Sequence, residues 1–135
     1  LAKDADIIVK AAAVGDFRPD TVAKDKIKKD KMGSVTLTKN PDILAELGGM
    51  GLKAKIVGFS METKDMEANS VDKLNRKNAD YIVANNINDE GAGFAGDTNV
   101  VTVFGRSGKS VALPKMSKLS LADKLLDMVT NDELC

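Results

Sequence analysis

The chain has 135 residues, enough for one domain with a hydrophobic core, and its 20 Lys and Arg balance its 20 Asp and Glu. It has no histidine and one cysteine, Cys135, which excludes imidazole acid–base chemistry, a disulfide framework and a thiolate metal site. Charge neutrality argues against a nucleic-acid binder, and no apolar run reaches the length of a membrane span.

What remains for chemistry is Lys, Asp, Glu, Asn, Ser and the backbone, with a hard cation such as Mg²⁺ as a potential helper. No signal-peptide pattern precedes the first element, so the expected compartment is the cytoplasm. The chain starts at Leu1 rather than Met, and its opening LAKDADIIVKAAAV reads as a helix tail running into a strand. That start suggests a domain trimmed at its N-terminus.

In chain order, 6–14 (DIIVKAAAV) is a short apolar run with the character of a strand buried on both faces. Residues 15–33 are polar and read as a loop. The run SVTLTK, 34–39, alternates like a half-exposed strand. NPDILAEL, 40–47, reads as a short helix with Asn40 as N-cap, Pro41 at the first position and Asp42 at the positive end, stopped by Gly48 and Gly49. AKIVGFSM, 54–61, is a second buried strand. Thr63 is placed to cap a helix over 64–78 whose apolar stripe is Met66, Ser70, Val71 and Leu74. DYIVANN, 80–86, is a third buried strand, and 87–97 is a glycine-bearing loop. TNVVTVF (98–104) and KSVALP (109–114) flank GRSG as an antiparallel hairpin. The last helix, 120–129, opens at a capping serine and carries Leu121, Leu125, Leu126 and Val129 at helical spacing. Strands alternating with helices predict a doubly wound α/β domain, mainly parallel, with helices on both faces and the hairpin at one edge.

Ligands in that architecture gather at the C-terminal ends of the strands. Asp16 and the lysine-rich stretch KDKIKKDKMG (24–33) follow the first strand. Phe59, Ser60 and Glu62 come at the end of the second, ahead of a helix bearing Lys73 and Lys77. Asn85 and Asn86 end the third. The cluster of Lys26, Lys28, Lys29 and Lys31 reads either as a solvated charge run, the commoner case, or as a clamp for a polyphosphate. Lys73 and Lys77 share a helix face, where an anion would relieve their repulsion; the plain alternative is an exposed face. Asp16 is a loop aspartate or a ligand for Mg²⁺ or a sugar hydroxyl. Phe59 is a core residue or a stacking platform for a base. GAGFAGDTN (91–99) follows no strand–turn–helix pattern and is not a phosphate-binding fingerprint. Few residues of 22–33 can pack, so that loop is expected to be mobile without ligand.

Taken in order, AAAVGDFRP, KIKK, KNPDIL, GFSMET, KLNRKNADYIVANNI and GFAGDTNVVTVF, followed by the LADKLLDMV helix, resemble the phosphopantothenate–cysteine ligase domain of bacterial coenzyme A biosynthesis. The resemblance implies a Rossmann-like fold and a CTP-dependent, Mg²⁺-requiring ligation of 4′-phosphopantothenate with cysteine through an acyl-cytidylate. It implies that Lys26 contacts the nucleotide phosphates and supports turnover of the acyl-cytidylate. Lys10, Ala11 and Ala12 would line the nucleotide pocket through the backbone, with Asp16, Pro41, Asp42, Ile43, Leu44, Phe59, Lys73 and Lys77 completing the nucleotide-binding set. No metal ligand is assigned. The family pattern also implies a homodimer, with SVTLTK serving the contact, and in many bacteria a fusion to an FMN-dependent decarboxylase; no flavin is expected in this segment, nor nucleic acid or membrane as a partner. The family's earlier strand, its glycine- and serine-bearing loop and an asparagine serving the acyl-cytidylate step have no counterpart here. Two other readings stay open: an ATP-using relative, and a non-catalytic α/β nucleotide-binding or assembly module.

Overall fold

The computed structural model describes residues 2–28, 33–86 and 97–135. They form two compact units: one comprises residues up to Ala12 together with Leu44–Cys135, the other Ala13–Ile43.

The larger unit is built on a five-stranded sheet. Its strands are β1 (Ile7–Lys10), β4 (Lys55–Glu62), β5 (Tyr81–Asn86), β6 (Thr98–Gly105) and β7 (Ser110–Ser117), lying side by side in that order. The β1–β4 and β4–β5 pairs are parallel; β5–β6 and β6–β7 are antiparallel. The expected mainly parallel half and edge hairpin are both present. Tyr81, Ile82, Val83 and Ala84 of β5 are all buried, as a continuous apolar run in a central strand must be when helices cover both faces. On one face, helix α3 (Lys118–Thr130) lays Leu121, Leu125, Met128 and Val129 against Val57, Tyr81, Val83, Val101, Val103 and Leu113. On the other, α1 (Ile43–Gly49) and α2 (Met66–Lys77) bring Leu44, Leu47, Met66 and Leu74 against Ile56, Ile82, Ala84 and Phe104. Each such side chain contributes about 1.5–3 kcal/mol on burial, so the layered sheet carries the stability of this unit.

Several boundaries differ from the sequence reading. Ala2–Asp4 form a 3-10 turn. β1 ends at Lys10, opposite Gly58, rather than running to residue 14. The AAAV that follows offers little side chain to pack on a pleated surface, and residues 11–14 are exposed. α2 starts from Asp65, which sits in the left-handed region at φ 49° and makes no side-chain cap bond, instead of from Thr63. β7 continues through Pro114 to Ser117. A proline is tolerated there because β7 is an edge strand, where one row of backbone N–H groups needs no partner. The cap of α3 is consequently Ser117, whose Oγ accepts from the Ser120 N–H at 3.1 Å, rather than Ser120 itself.

In the smaller unit, β2 (Phe17–Pro19) pairs antiparallel with β3 (Leu37–Lys39). The first of these strands lies in the stretch expected to be loop, and the second is the C-terminal half of the expected 34–39 strand. Asn40 does not cap α1. Its Nδ2 donates to the Gly15 carbonyl at 2.7 Å and its Oδ1 accepts from Arg18 Nη1 at 2.7 Å, which ties the ends of the ribbon together. Helix α1 begins at Ile43, after Pro41 and Asp42. Part of the 22–33 stretch and nearly all of the 87–97 loop lie outside the described residues, as does the expectation of mobility attached to the first.

Candidate functional site

In the larger unit the parallel strands end together. Lys10 closes β1 beside Gly58, and β4 runs on for Phe59–Glu62, paired from there only with β5 among the described residues. This is the carboxyl edge at which an open α/β sheet takes ligands. Lys10 folds back so that its Nζ donates to the Ala12 carbonyl at 2.7 Å, fixing the turn out of β1.

Alternation along β4 splits the expected site residues between the two faces of the sheet. Phe59 faces α3 and packs, half-buried, against the cluster around Val57 and Val83. Ser60 and Glu62 face α2, on the same side as Ile56. There Glu62 is 6% exposed. Its Oε1 accepts from Ser60 Oγ and Lys73 Nζ, each at 2.5 Å, and its Oε2 accepts from Asn69 Nδ2 at 3.1 Å. Lys73 also donates to Ser60 Oγ at 2.5 Å. Asn69 and Lys73 lie four residues apart on α2 and therefore share one face. Burial pushes the Glu62 carboxyl up; the hydrogen bonds from Lys73 and Ser60, the Lys73 charge and the Asn69 amide outweigh it and hold the group below the usual carboxylate range. Lys73 thus already has a carboxylate partner within the chain, and its side chain stays about a third exposed. Lys77, one turn further on, is half-buried.

Leu44 is a core contact. Its side chain fills the space over Gly58, where a Cβ would come within 2.5 Å of Leu44 Cδ2.

In the smaller unit, Asp16, Lys26, Pro41, Asp42 and Ile43 are all exposed. The Asn40 N–H donates to the Asp16 carbonyl at 2.8 Å, which sets Asp16 beside the start of Pro41–Asp42. Lys24, Lys26 and Lys28 stand exposed on irregular chain; Lys29 and Lys31 lie outside the described residues.

Sequence reasoning singled out Ser60 and Glu62 without a role and passed over Asn69. The signal was present in pieces: an i, i+2 pair on a strand and an i, i+4 pair on a helix. Only the packing of α2 on β4 joins them.

Among the described residues, clefts open at two places on the larger unit. One, of about 120 Å³, is lined by Glu62, Thr63, Lys64, Asp65 and Met66 at the carboxyl edge. The other, of about 180 Å³, lies at the opposite edge, where Arg106 donates to Asn78 Oδ1 and the Ala79 carbonyl and pairs with Asp80, which accepts from the Ile56 N–H. Among the described residues no three carboxylate or thiol side chains gather as a metal cage, and Glu62 is occupied by three donors. Magnesium needs no such cage when it arrives on phosphates, where one or two protein oxygens suffice. No helix of the described residues is long and apolar enough to cross a membrane.

A profile of the DNA/pantothenate metabolism flavoprotein C-terminal domain matches residues 1–132. The coenzyme A biosynthesis bifunctional protein CoaBC of Bacillus subtilis is 45% identical over 125 residues, which cover 92% of this chain and 31% of that protein. The crystal structure of the C-terminal domain of a CoaBC superposes with a TM-score of 0.74 at 31% identity, over 95% of this chain and 55% of the other. A Cab2 variant in complex with phosphopantothenate-cysteine has the same fold, at a TM-score of 0.65 and 20% identity, covering 93% of this chain and 46% of its own. The chain spans about a third of the length of the bifunctional relatives it matches.

Proposed function

This chain belongs to the DNA/pantothenate metabolism flavoprotein C-terminal domain family, and on that premise we propose that it supplies the C-terminal part of a phosphopantothenate–cysteine ligase in coenzyme A biosynthesis. The observation that carries the proposal is the match over residues 1–132, joined to 45% identity with a CoaBC protein. In the proposed reaction the carboxylate of 4′-phosphopantothenate attacks the α-phosphate of CTP, and pyrophosphate leaves. The amine of cysteine then attacks the acyl-cytidylate, forms the amide and releases CMP.

Nucleotidyl transfer is carried mainly by positioning and by cations placed where charge develops, so a site without histidine is adequate. Lys26 is assigned to the phosphates and to turnover of the acyl-cytidylate. The backbone of Lys10–Ala12, Asp16, Pro41–Leu44, Phe59, Lys73 and Lys77 are assigned to the nucleotide. Magnesium, bound to the phosphates, supplies charge neutralisation. The exposed Phe17 and Leu37 of the β2–β3 ribbon, with Val35 just ahead of it, support a homodimer, which sedimentation would register as twice the monomer mass. A decarboxylase carrying FMN belongs, in this reading, to the remaining length of the bifunctional relatives, and the expected compartment is the cytoplasm.

Titration calorimetry with CTP, ATP and a single-stranded oligonucleotide, each with Mg²⁺, tests the assignment. CTP is expected to bind at least about tenfold more tightly than ATP, a difference of about 1.4 kcal/mol, with no heat from the oligonucleotide. Equal affinity for the two nucleotides would favour an ATP-using relative. Binding without amide formation, in the chain extended to the length of its relatives, would favour a non-catalytic module.

A further inference from the structure

Glu62 has no part in the assignments above, yet it is the most buried carboxylate among the described residues and the best held. Its two oxygens take three side-chain donors, from Ser60, Lys73 and Asn69. Asn69 is itself tied down, its Nδ2 donating also to the Lys64 carbonyl at 3.0 Å. An ion pair half-sunk in a protein is a weak source of stability, because desolvation consumes most of the attraction; such a pair is better suited to fixing a geometry. The geometry fixed here is that of Lys73. A lysine on its four-carbon stem is a mobile point charge. This one is tethered, its N–H donors shared between Ser60 Oγ and Glu62 Oε1, which both lie 2.5 Å from Nζ. Among the described residues Nζ has no further acceptor, so donor capacity remains for a ligand, and the side chain is about a third exposed.

We propose that Glu62 is a positioning residue: together with Ser60 and Asn69 it holds the Lys73 ammonium at the carboxyl edge of β4, so that the remaining N–H of Lys73 meets a phosphate of the bound nucleotide. This rests on the assignment of Lys73 to the nucleotide. Glu62 touches no ligand itself. It offsets the lysine's charge and leaves a directed donor, so the site reads phosphate by geometry more than by charge.

The test is a double-mutant cycle read by calorimetry with two probes, CTP with Mg²⁺ and cytidine, which lacks the phosphates. Lys73→Ala and Glu62→Ala are each expected to weaken CTP binding about tenfold, and the double variant no further than Lys73→Ala alone. Cytidine binding stays at the wild-type value in all of them. Glu62→Gln keeps the acceptor for Lys73 and is expected to stay within about threefold of wild type. Should Glu62→Ala fail to fold, Asn69→Ala removes one support from Glu62 without stranding a buried charge. It is expected to weaken CTP binding about threefold alone and not at all in the Lys73→Ala background. Losses that multiply in the double variant, or a CTP affinity of folded Glu62→Ala or Asn69→Ala equal to wild type, would overturn the positioning role while leaving the nucleotide assignment intact. Wild-type affinity for CTP in Lys73→Ala, or no CTP binding by the wild type, would overturn the nucleotide assignment and the positioning role with it.

Discussion

Lys73 and Lys26 are both assigned to phosphate, but their surroundings give them opposite energetics. Lys26 is exposed, and removing an exposed loop side chain changes stability by no more than about 0.5 kcal/mol. Lys73 is the counterion of a buried carboxylate. Lys73→Ala leaves Glu62 uncompensated and is expected to lower stability by about 3 kcal/mol, which urea unfolding of the two variants resolves directly. Equal stabilities would mean that the pair is solvated in solution. The same carboxylate gives a pH dependence. Its pKa in the folded chain lies below the ordinary value of 4.5, so its contribution is complete above that value and is lost as pH falls through the depressed one. Stability should therefore decline below about pH 4.5, and Glu62→Gln should flatten that part of the profile. Identical acid profiles would contradict the pairing. The sequence made the i, i+4 spacing of Lys73 and Lys77 legible, and from it their common face. It could not reveal that an anion already stands beside Lys73, because that contact joins residues of β4 and α2 whose separation along the chain fits no local periodicity.

Among the elements, those with a strong apolar period were readable: β4, β5 and β6 appear where the pattern put them, and Met66, Ser70 and Leu74 of the expected α2 stripe face inward, whereas Val71 of that stripe, like Leu126 of the last helix, is exposed. The failures have local causes. β2 has three residues, all exposed, and exists because β3 pairs with it, which no pattern within 15–33 announces. Asn40 has the right type and position for a helix cap, but its amide is taken by Gly15 and its carbonyl by Arg18. A proline made Pro114 look like the end of β7, whereas an edge strand accepts it. The cap of α3 tests this last point. Ser117→Ala is expected to cost about 1 kcal/mol, since it removes the acceptor for the Ser120 N–H. Ser120→Ala loses only the hydroxyl contact to Ser117 at 2.9 Å, worth about half as much. A larger loss in Ser120→Ala, by thermal melting, would restore the shorter strand and the later cap.

At the scale of the chain, the layered sheet accounts for folding of the larger unit, and much of the chemistry proposed above falls on exposed chain. The unit containing β1 and β4–β7 has two apolar clusters, one on each face of its sheet. In the unit of Ala13–Ile43 every described residue except Thr38 and Asn40 is exposed, and a two-stranded ribbon alone is marginal in water. Such a segment holds few interactions that a substitution could break, so the effect of changing a lysine there reads on function and hardly on stability. Amide formation between 4′-phosphopantothenate and cysteine, driven by CTP, is the direct measurement, made on the chain extended to the length of its relatives, with melting temperatures alongside. Lys26→Ala should lose about 10²–10³ in turnover, corresponding to about 3–4 kcal/mol of transition-state stabilisation, at an unchanged melting temperature. Lys24→Ala, two residues away and equally exposed, should lose little. Small and equal losses in both variants would reduce the lysine stretch to a solvated loop and contradict the proposed reaction site.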